Sequence, residues 1–476
     1  MDHPQQLQRH LRLFDATALV VGSMIGSGIF FGLSIMAQWV QTPGLLVGLW
    51  VFGGLFTMLG AISCAELAAM FPHAGGQYVF LREAYSDFWA FLFGWTQFFV
   101  IQTGFNAAVA IAFAKYLGTL LPGLGEAHVL ARIPIGGLLP MAAQARLPQA
   151  LLCLALNSAQ LVACGVIALL TAVNIRGVRE GALVQNLFTV LKVLGLAALI
   201  VAGLAHAGGT SHFFPLVEPI PGKAALQAGF VAGLAVALSK ALFAYDAWYT
   251  VTFVAEEVHD SHRTLPRALL IGCLLVTVLY VLTNVAYLAV LPVSEIARLP
   301  ENRVAEGVAV VLFGHVGSTL VIAAILVSTF GCLNGLILGG ARVCYAMARE
   351  GLFFRSCAAI GGRKTPMMAL VYQGVWSMVL ALTGSYSELL TYSTFASVLF
   401  GGLTVAAVYR LRVKQPDRQR PYRCWGYPLT PALYLAICLA FLVYVIQGDP
   451  QATVIGLLLI LAGVPFYMMW KARRSG

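Results

Sequence analysis

Charged side chains are scarce in this chain: they make up 10% of its 476 residues, whereas 60% of the residues are hydrophobic. This composition excludes an ordinary soluble domain and predicts a multi-pass membrane protein. Acidic residues are fewer than basic ones, with 19 Asp and Glu against 29 Lys and Arg. We attribute the net charge of +10 to membrane topology, with anionic lipid as the expected partner and no nucleic acid.

Other absences narrow the function. The nine cysteines form no CxxC pair, and none falls in a predicted outer loop, so we expect no disulfide framework and no zinc site. No nucleotide-binding loop, metal cluster or nucleophile–base arrangement is present, which predicts a protein that is not an enzyme and has no cofactor. No apolar segment with a cleavage site precedes the first span, so that span is predicted to be retained.

Apolar stretches long enough to cross a bilayer, about 20 residues each, recur along the chain. We predict twelve spans, at residues 14–40, 45–70, 88–118, 150–174, 182–205, 226–254, 267–291, 308–346, 367–383, 387–409, 428–447 and 452–470. With the N-terminus in the cytoplasm, 21 of the 29 Lys and Arg lie inside, five lie outside and three lie within spans. This bias places both termini, residues 1–12 and 471–476, in the cytoplasm.

The first span contains three glycines in the seven residues Gly22–Gly28. Glycine is a poor helix former, so we predict that the helix is interrupted there. Non-helical backbone at membrane depth is tolerated where it lines protein or a water-filled cavity, which indicates a binding site near the midplane. The alternative is close helix packing of the GxxxG type, because Gly22 and Gly26 have that spacing.

The sixth span contains a second predicted interruption, at Phe243–Trp248, where Asp246 lies in an otherwise apolar helix. A carboxylate at this depth needs a cavity or a partner. The two interruptions occupy matching positions in two five-span halves, residues 13–206 and 226–412, and an odd number of spans inverts one half relative to the other. This pattern is typical of inverted-repeat secondary transporters. The last two spans, in residues 428–470, are accessory.

The two interruptions together would suit an α-amino acid. The outer half of the first span begins near Gly28, and its free amides, with the Ser27 hydroxyl, favour a carboxylate. The carbonyls that end the other half-helices favour an ammonium group. The predicted substrate-binding residues are Met24, Ile25, Gly26, Ser27, Gly28, Phe243, Ala244 and Asp246.

Three segments carry a family resemblance: VGSMIGSGIF (21–30), AELAAMFPHAGGQYVFLREAYS (65–86) and LFAYDAWYTVTFVAEEV (242–258). They resemble the amino acid–polyamine–organocation (APC) superfamily, and most closely the L-type amino acid transporters and their bacterial relatives. The resemblance implies an all-α membrane protein with a LeuT-type 5+5 inverted repeat, broken helices 1 and 6, two accessory helices and alternating access. It also implies that Ser27 and Gly28 meet the substrate carboxylate, that carbonyls of Met24, Phe243 and Asp246 meet the amine, and that Phe243 is an outer lid.

Lys192 lies about ten residues into the fifth span. A lysine there must snorkel, pair or contact backbone carbonyls, and it could also release a proton during transport. In similar transporters a lysine at this position takes the place of a sodium ion and touches the backbone of the broken first span. Ser328 and Thr329 match the side that would coordinate that ion in sodium-coupled relatives. The resemblance therefore implies sodium-independent transport, and the alternative is a purely structural tether.

Asp246 departs from L-type members that carry glycine here; relatives with Asp accept cationic substrates. Asp246 could bind a Lys or Arg substrate, unless Lys240, six residues earlier, neutralises it. Glu256 and Glu257 are candidates for an inner gate with arginines. Asn106 is a candidate for the side-chain pocket or for a helix–helix hydrogen bond.

The predicted function is secondary active amino acid transport, as an exchanger or a proton symporter, in a bacterial inner membrane. A polyamine or other small amine is the alternative substrate, although an amine without a carboxylate would leave the Ser27–Gly28 donors unused. A channel or membrane sensor is the alternative class, but the chain has no repeated filter or charged ring. Animal L-type transporters use a cysteine in the loop between the third and fourth spans to bond a heavy chain. Because residues 119–149 of this chain lack cysteine, the resemblance implies no disulfide-linked heavy chain.

Overall fold

The computed structural model describes residues 9–126, 128–134, 153–206, 228–361, 365–383, 386–448 and 450–475. Ten helices in these ranges are long and apolar enough to cross a membrane. The chain is therefore a multi-pass, mostly helical membrane protein. Predictions that fall on the remaining residues lie outside the described part of the chain; they include the first eight residues of the N-terminal segment, residues 150–152 of the fourth predicted span and residues 226–227 of the sixth.

The helices are, in chain order, α1 (Leu13–Met24), α2 (Gly28–Ala37), α3 (Pro43–Met70), α4 (Gln77–Ala84), α5 (Asp87–Thr96), α6 (Gln102–Leu120), α7 (Ser158–Arg176), α8 (Val178–His206), α9 (Ala228–Ala244), α10 (Thr250–Phe253), α11 (Ser261–Val290), α12 (Val293–Ile296), α13 (Val304–Arg349), α14 (Met367–Thr383), α15 (Tyr386–Lys414), α16 (Leu429–Gly448), α17 (Pro450–Leu461) and α18 (Gly463–Ser475). A π-helical turn, Gln97–Ile101, joins α5 to α6. Strands β1 (Val129–Pro134) and β2 (Cys153–Asn157) pair antiparallel. Short 3-10 turns lie at Pro122–Leu124, Ala255–Glu257, Pro300–Asn302 and Arg355–Ala358.

All twelve predicted apolar stretches fall mainly on helix, but two of them are not among the ten long apolar helices. The sixth is interrupted and therefore divided between α9 and the single turn α10. The ninth, α14, has 17 residues. The number of spans is therefore established only as about ten by length and composition.

The fourth predicted span, 150–174, is wrong over residues 153–157, which form β2. Helix α7 begins at Ser158 because Asn157 caps it: the Asn157 side chain accepts from the Gln160 amide, and the Gln160 side chain accepts from the Asn157 amide, both at 2.9 Å. The apolar residues before the cap form β2 instead. Cys153 consequently lies on β2, in the connection before α7, and not within this helix.

The eighth predicted span, 308–346, is not one continuous transmembrane helix. Gly314 has φ 66° and ψ −161°, a conformation that glycine adopts without a Cβ clash. This residue separates a short apolar helix, Val304–Gly314, from the long span Val316–Arg349.

The buried core surrounds the two interrupted spans. Helix α11 packs along α1 and α3, and α8 packs along α13. The first span is interrupted between Met24 and Gly28, and the sixth between Ala244 and Thr250. Both predicted interruptions are therefore present in the structure, and the helices packed around them supply the side chains of the candidate site.

Candidate functional site

The C-terminal end of α1 presents backbone carbonyls that a continuous helix would have satisfied internally. Side chains from three other helices bind them. The Cys332 thiol of α13 donates to the carbonyl of Ser23 at 3.1 Å, and the Tyr280 hydroxyl of α11 donates to that of Met24 at 2.8 Å. The interruption is therefore held open by its neighbours.

Lys192 of α8 makes the central contact with this interruption. Its Nζ donates to the carbonyls of Gly22 at 2.9 Å and Ile25 at 2.8 Å. The side chain is 2% exposed. Of the three predicted possibilities, which were snorkelling, pairing and contact with backbone carbonyls, the structure shows the third. A cation at the C-terminal end of a helix is also stabilised by the helix dipole.

Ser328 and Thr329 of α13 differ in their contacts. The Ser328 hydroxyl donates to the Ile25 carbonyl at 3.2 Å. The Thr329 hydroxyl instead donates to the carbonyl of Ile325 in its own helix at 2.9 Å. Within the described residues, Ser328 therefore shares a carbonyl acceptor with Lys192, whereas Thr329 bonds its own helix.

The interruption of the sixth span is stabilised mainly by its own residues. The Asp246 carboxylate accepts from the Ala247 amide at 2.6 Å, and the hydroxyls of Tyr249 and Ser397 also lie beside it. Ala247 has φ 65°, an uncommon conformation for a residue with a side chain. These contacts satisfy a carboxylate that would otherwise be costly at this depth.

The two interruptions meet. A Cβ placed on Gly28 would lie 2.6 Å from the Cβ of Ala244, so the backbones approach each other as closely as glycine allows. The Tyr280 hydroxyl spans both, because it also donates to the Ala244 carbonyl at 3.1 Å. Tyr280 packs edge-on against Trp50 and beside Tyr245, which fixes the position of its ring.

A small cavity of about 20 Å³ lies between the interruptions. This is room for about one water molecule, so an amino acid would require the walls to move apart. The lining residues are Ser23, Met24, Gly26, Ser27, Gly28, Phe105, Val109, Phe243, Ala244, Asp246, Ala247, Cys332 and Leu336. All predicted substrate-binding residues except Ile25 are in this set; the Ile25 carbonyl accepts from Lys192 and Ser328 instead.

Phe243 lies at the edge of the cavity, partly exposed, and packs against Phe105 of α6 with ring centroids 5.6 Å apart. Lys240 is on the same helix as Phe243, but no ion pair joins it to Asp246, both being described residues. The suggested neutralisation of Asp246 by Lys240 is therefore absent from this structure.

The predicted substrate-binding residues omit several contributors to the site, among them Tyr280, Cys332 and Phe105. Tyr280 had a usable signal, because a buried tyrosine in an apolar helix generally needs a partner for its hydroxyl. Cys332 and Phe105 had none, since both residue types are common in apolar helices. Asn106, one residue from Phe105, donates to the Ser377 hydroxyl at 3.2 Å and is not among the cavity-lining residues, so it makes the helix–helix hydrogen bond.

Ion pairs cluster beyond α10, on the side of the protein rich in arginine. The carboxylate of Glu257 pairs with Arg342 of α13 at 3.0 Å, and both side chains are fully buried. Glu256 pairs with Arg349 at 3.2 Å. The backbone of Leu11 also bonds this segment, donating to the Glu257 carbonyl at 2.9 Å. The two glutamates following the sixth span are therefore paired with arginines of the eighth.

Comparison with known proteins gives a consistent set of similarities. The family model for amino acid permeases matches residues 11–470. The chain is 30% identical over 475 residues to the serine/threonine exchanger SteT of Bacillus subtilis (strain 168), covering 98% of each chain. It is 32% identical to the human large neutral amino acids transporter small subunit 2, covering 97% of this chain and 80% of the relative. It is 29% identical to the human b(0,+)-type amino acid transporter 1, covering 99% and 89%.

Proposed function

The chain belongs to the amino acid permease family, within the APC superfamily, and on that premise we propose that it carries amino acids across a membrane by alternating access. The observation that carries the proposal is the meeting of two interrupted helices at one cavity, with Gly28 against Ala244. Paired interrupted helices are the usual construction of a midplane substrate site in secondary transporters. The names of all three relatives describe amino acid transport or exchange.

The proposed architecture is a LeuT-type inverted repeat of spans 1–5 (13–206) and 6–10 (226–412), with two accessory spans in 428–470. The interruptions after Met24 and after Ala244 support it, because they fall in the first span of each half. The sequence separation between them, 244 − 24 = 220 residues, leaves room for one complete half.

The proposed substrate is a zwitterion. Amides at the start of α2, from Gly28, and the Ser27 hydroxyl receive the carboxylate, while carbonyls of Met24, Phe243 and Asp246 receive the ammonium group. Support comes from the cavity, which all five residues line. A polyamine has no carboxylate and would leave the amides at the start of α2 without an anion.

Asp246 makes a cationic side chain a candidate for the substrate, alongside a neutral one. Its carboxylate is at the cavity wall and already accepts from the Ala247 amide. A carboxylate retains further acceptor positions after such a bond, so a guanidinium or ammonium group can be accommodated.

Coupling is proposed to be independent of sodium, because the Lys192 ammonium occupies the carbonyls at the interruption that a cation would otherwise use. The protein is then an exchanger or a proton symporter. A structural tether would use the same two hydrogen bonds, so transport measurements with Lys192 variants separate the two roles.

Gating is proposed to use Phe243 as the outer lid and the pairs Glu257–Arg342 and Glu256–Arg349 as the inner closure. The full burial of the first pair supports this, since it fixes the end of α10 to α13. The proposed location is a bacterial inner membrane with both termini in the cytoplasm, and the Lys and Arg bias supports this orientation.

The chain is also proposed to have no enzymatic activity and to work without a disulfide-linked heavy chain. Residues 119–149 lack cysteine, but Cys153 lies on β2 in the same connection between α6 and α7, so the connection as a whole is not free of cysteine. Reconstitution of the purified chain alone tests the second point directly: uptake without any added protein is the expected result.

The decisive experiment measures uptake of labelled amino acids into liposomes containing the purified protein, with and without sodium, a proton gradient and internal substrate. We expect saturable uptake that internal amino acid accelerates and that replacement of sodium by choline leaves unchanged. Uptake without counterflow or saturation would indicate a channel. A strict requirement for sodium would contradict the role given to Lys192.

A further inference from the structure

A second, larger cavity lies far from the substrate site, at the arginine-rich side of the protein. Its volume is about 530 Å³, and it is lined by Gly351, Phe353, Phe354, Arg355, Trp470 and Arg473. The first four residues belong to the turn after α13, and the last two belong to α18. We call it the C-terminal pocket.

Aromatic packing forms the wall of the C-terminal pocket. Trp470 is buried, with its ring centroid 5.8 Å from that of Phe353 and 5.5 Å from that of Phe354. The three rings fix α18 against the turn after α13. The pocket therefore has a rigid apolar base beneath its two arginines.

The two arginines differ from others on this side of the protein. Arg342, Arg349 and Arg82 each pair with a glutamate. Arg355 and Arg473 are exposed, and no carboxylate among the described residues lies within ion-pair distance of either. Two unpaired guanidinium groups at one cavity are suited to bidentate binding of a phosphate.

The position of the pocket favours a membrane lipid over a dissolved anion. Phe466 and Met468 of α18 are 42% and 65% exposed, so the helix that supplies Trp470 and Arg473 to the pocket also exposes apolar side chains. Tryptophan is enriched where a span meets the headgroup layer, and basic pockets on the cytoplasmic side bind anionic headgroups.

We propose that the C-terminal pocket binds the phosphate of an anionic phospholipid from the cytoplasmic leaflet, through Arg355 and Arg473 over the Trp470 base. The lipid fastens α18 to the turn that follows α13, the helix carrying Ser328, Cys332 and Arg342. The proposal rests on the membrane orientation proposed above, but not on the identity of the transported substrate.

The test is native mass spectrometry of the purified full-length protein titrated with phosphatidylglycerol, with phosphatidylcholine and inorganic phosphate as comparison ligands. Phosphatidylglycerol should bind preferentially, and Arg355→Gln with Arg473→Gln should weaken it by about 30-fold, equivalent to about 1 kcal/mol for each charge. The pair Arg355→Lys and Arg473→Lys retains charge and should lose less than the glutamine pair.

The matched control is Arg263→Gln with Arg267→Gln, which removes two exposed arginines of α11 that do not line the pocket and should leave binding unchanged. Equal weakening by this control would overturn the site, as would equal binding of phosphatidylcholine. Displacement of phosphatidylglycerol by equimolar phosphate would assign the pocket to a dissolved anion instead. Because lipid binding is read without transport, a failure here leaves the transport proposal intact.

Discussion

The interruptions of the first and sixth spans are satisfied in different ways. At the first, the carbonyls of Gly22, Ser23, Met24 and Ile25 accept from side chains of other helices, namely Lys192, Ser328, Cys332 and Tyr280. At the sixth, the Asp246 carboxylate accepts from the next residue's amide, and other helices contribute fewer contacts: Tyr280 donates to the Ala244 carbonyl, and the Ser397 hydroxyl lies beside Asp246. The carbonyls of the first interruption thus depend on side chains of other helices, whereas the second interruption combines a local bond with fewer contacts from outside.

This difference suggests different roles for the first and the second interruption. An interruption whose hydrogen bonds come from three neighbouring helices is coupled to the movement of each of those helices. A turn that satisfies its own polar groups can change its outward contacts without leaving them unpaired. We therefore expect substitutions around the first interruption to affect transport of every substrate, and substitutions at Asp246 to affect substrate choice.

The largest effect is expected where the two regions touch. Gly28→Ala places a Cβ 2.6 Å from the Ala244 Cβ and 2.8 Å from the Ala244 backbone. Overpacking by this amount costs about 1–3 kcal/mol, so initial uptake in liposomes should fall by up to about 100-fold. Gly48→Ala is the control, because a Cβ there meets no atom within 4 Å. Normal uptake by Gly28→Ala would mean that the regions separate during transport.

Removal of the lysine should have the next largest effect. Lys192→Ala leaves the Gly22 carbonyl without its donor, and hydrogen bonds to charged groups contribute about 1.5–3 kcal/mol. Uptake of all amino acids should fall by about 30-fold, without any gain from sodium. Lys240→Ala, in the sixth span, should stay within about 3-fold of the unchanged protein. Undiminished, fully coupled transport by Lys192→Ala would leave that residue as a structural tether only.

Much of this arrangement could be predicted from residue types alone. Gly22, Gly26 and Gly28 disfavour a continuous helix, and Asp246 is costly in an apolar span, so both interruptions were predictable. The contact of Lys192 with backbone carbonyls was one of three predicted possibilities, the others being snorkelling and pairing. The family resemblance contributed the pairing of Lys192 with the first interruption, which no local pattern specifies.

The errors have physical reasons as well. Residues 153–156 are apolar, and hydropathy does not distinguish a strand from the start of a span, whereas the Asn157 cap does. Gly314 ends a helix through a positive φ within a stretch that remains apolar on both sides. Tyr280 and Cys332 reach the site through tertiary packing. Nothing in the sequence around either residue specifies that it lies beside the first interruption.

The tyrosine that joins the two interruptions offers a milder test. Tyr280→Phe removes the donor to the carbonyls of Met24 and Ala244 while keeping the ring, at a cost of about 1–2 kcal/mol. Uptake should fall by about 10-fold for every substrate. Tyr287→Phe is matched, since it removes a buried hydroxyl that has no hydrogen-bond partner among the described residues, and should be neutral. Equal effects of the two variants would show that Tyr280 contributes packing only.

The smallest effect on overall transport is expected at Asp246, and it is the sharpest test of the difference between the two regions. Asp246→Asn keeps an oxygen that can accept from the Ala247 amide, so the local turn should persist and leucine uptake should change by less than about 3-fold. Inhibition of that uptake by arginine should weaken by about 10-fold or more, because the guanidinium loses a charged acceptor. If arginine does not compete even with the unchanged protein, Asp246 has no part in cationic selectivity. If leucine uptake collapses in Asp246→Asn, the second interruption depends on this charge as strictly as the first depends on Lys192, and the contrast between them is lost.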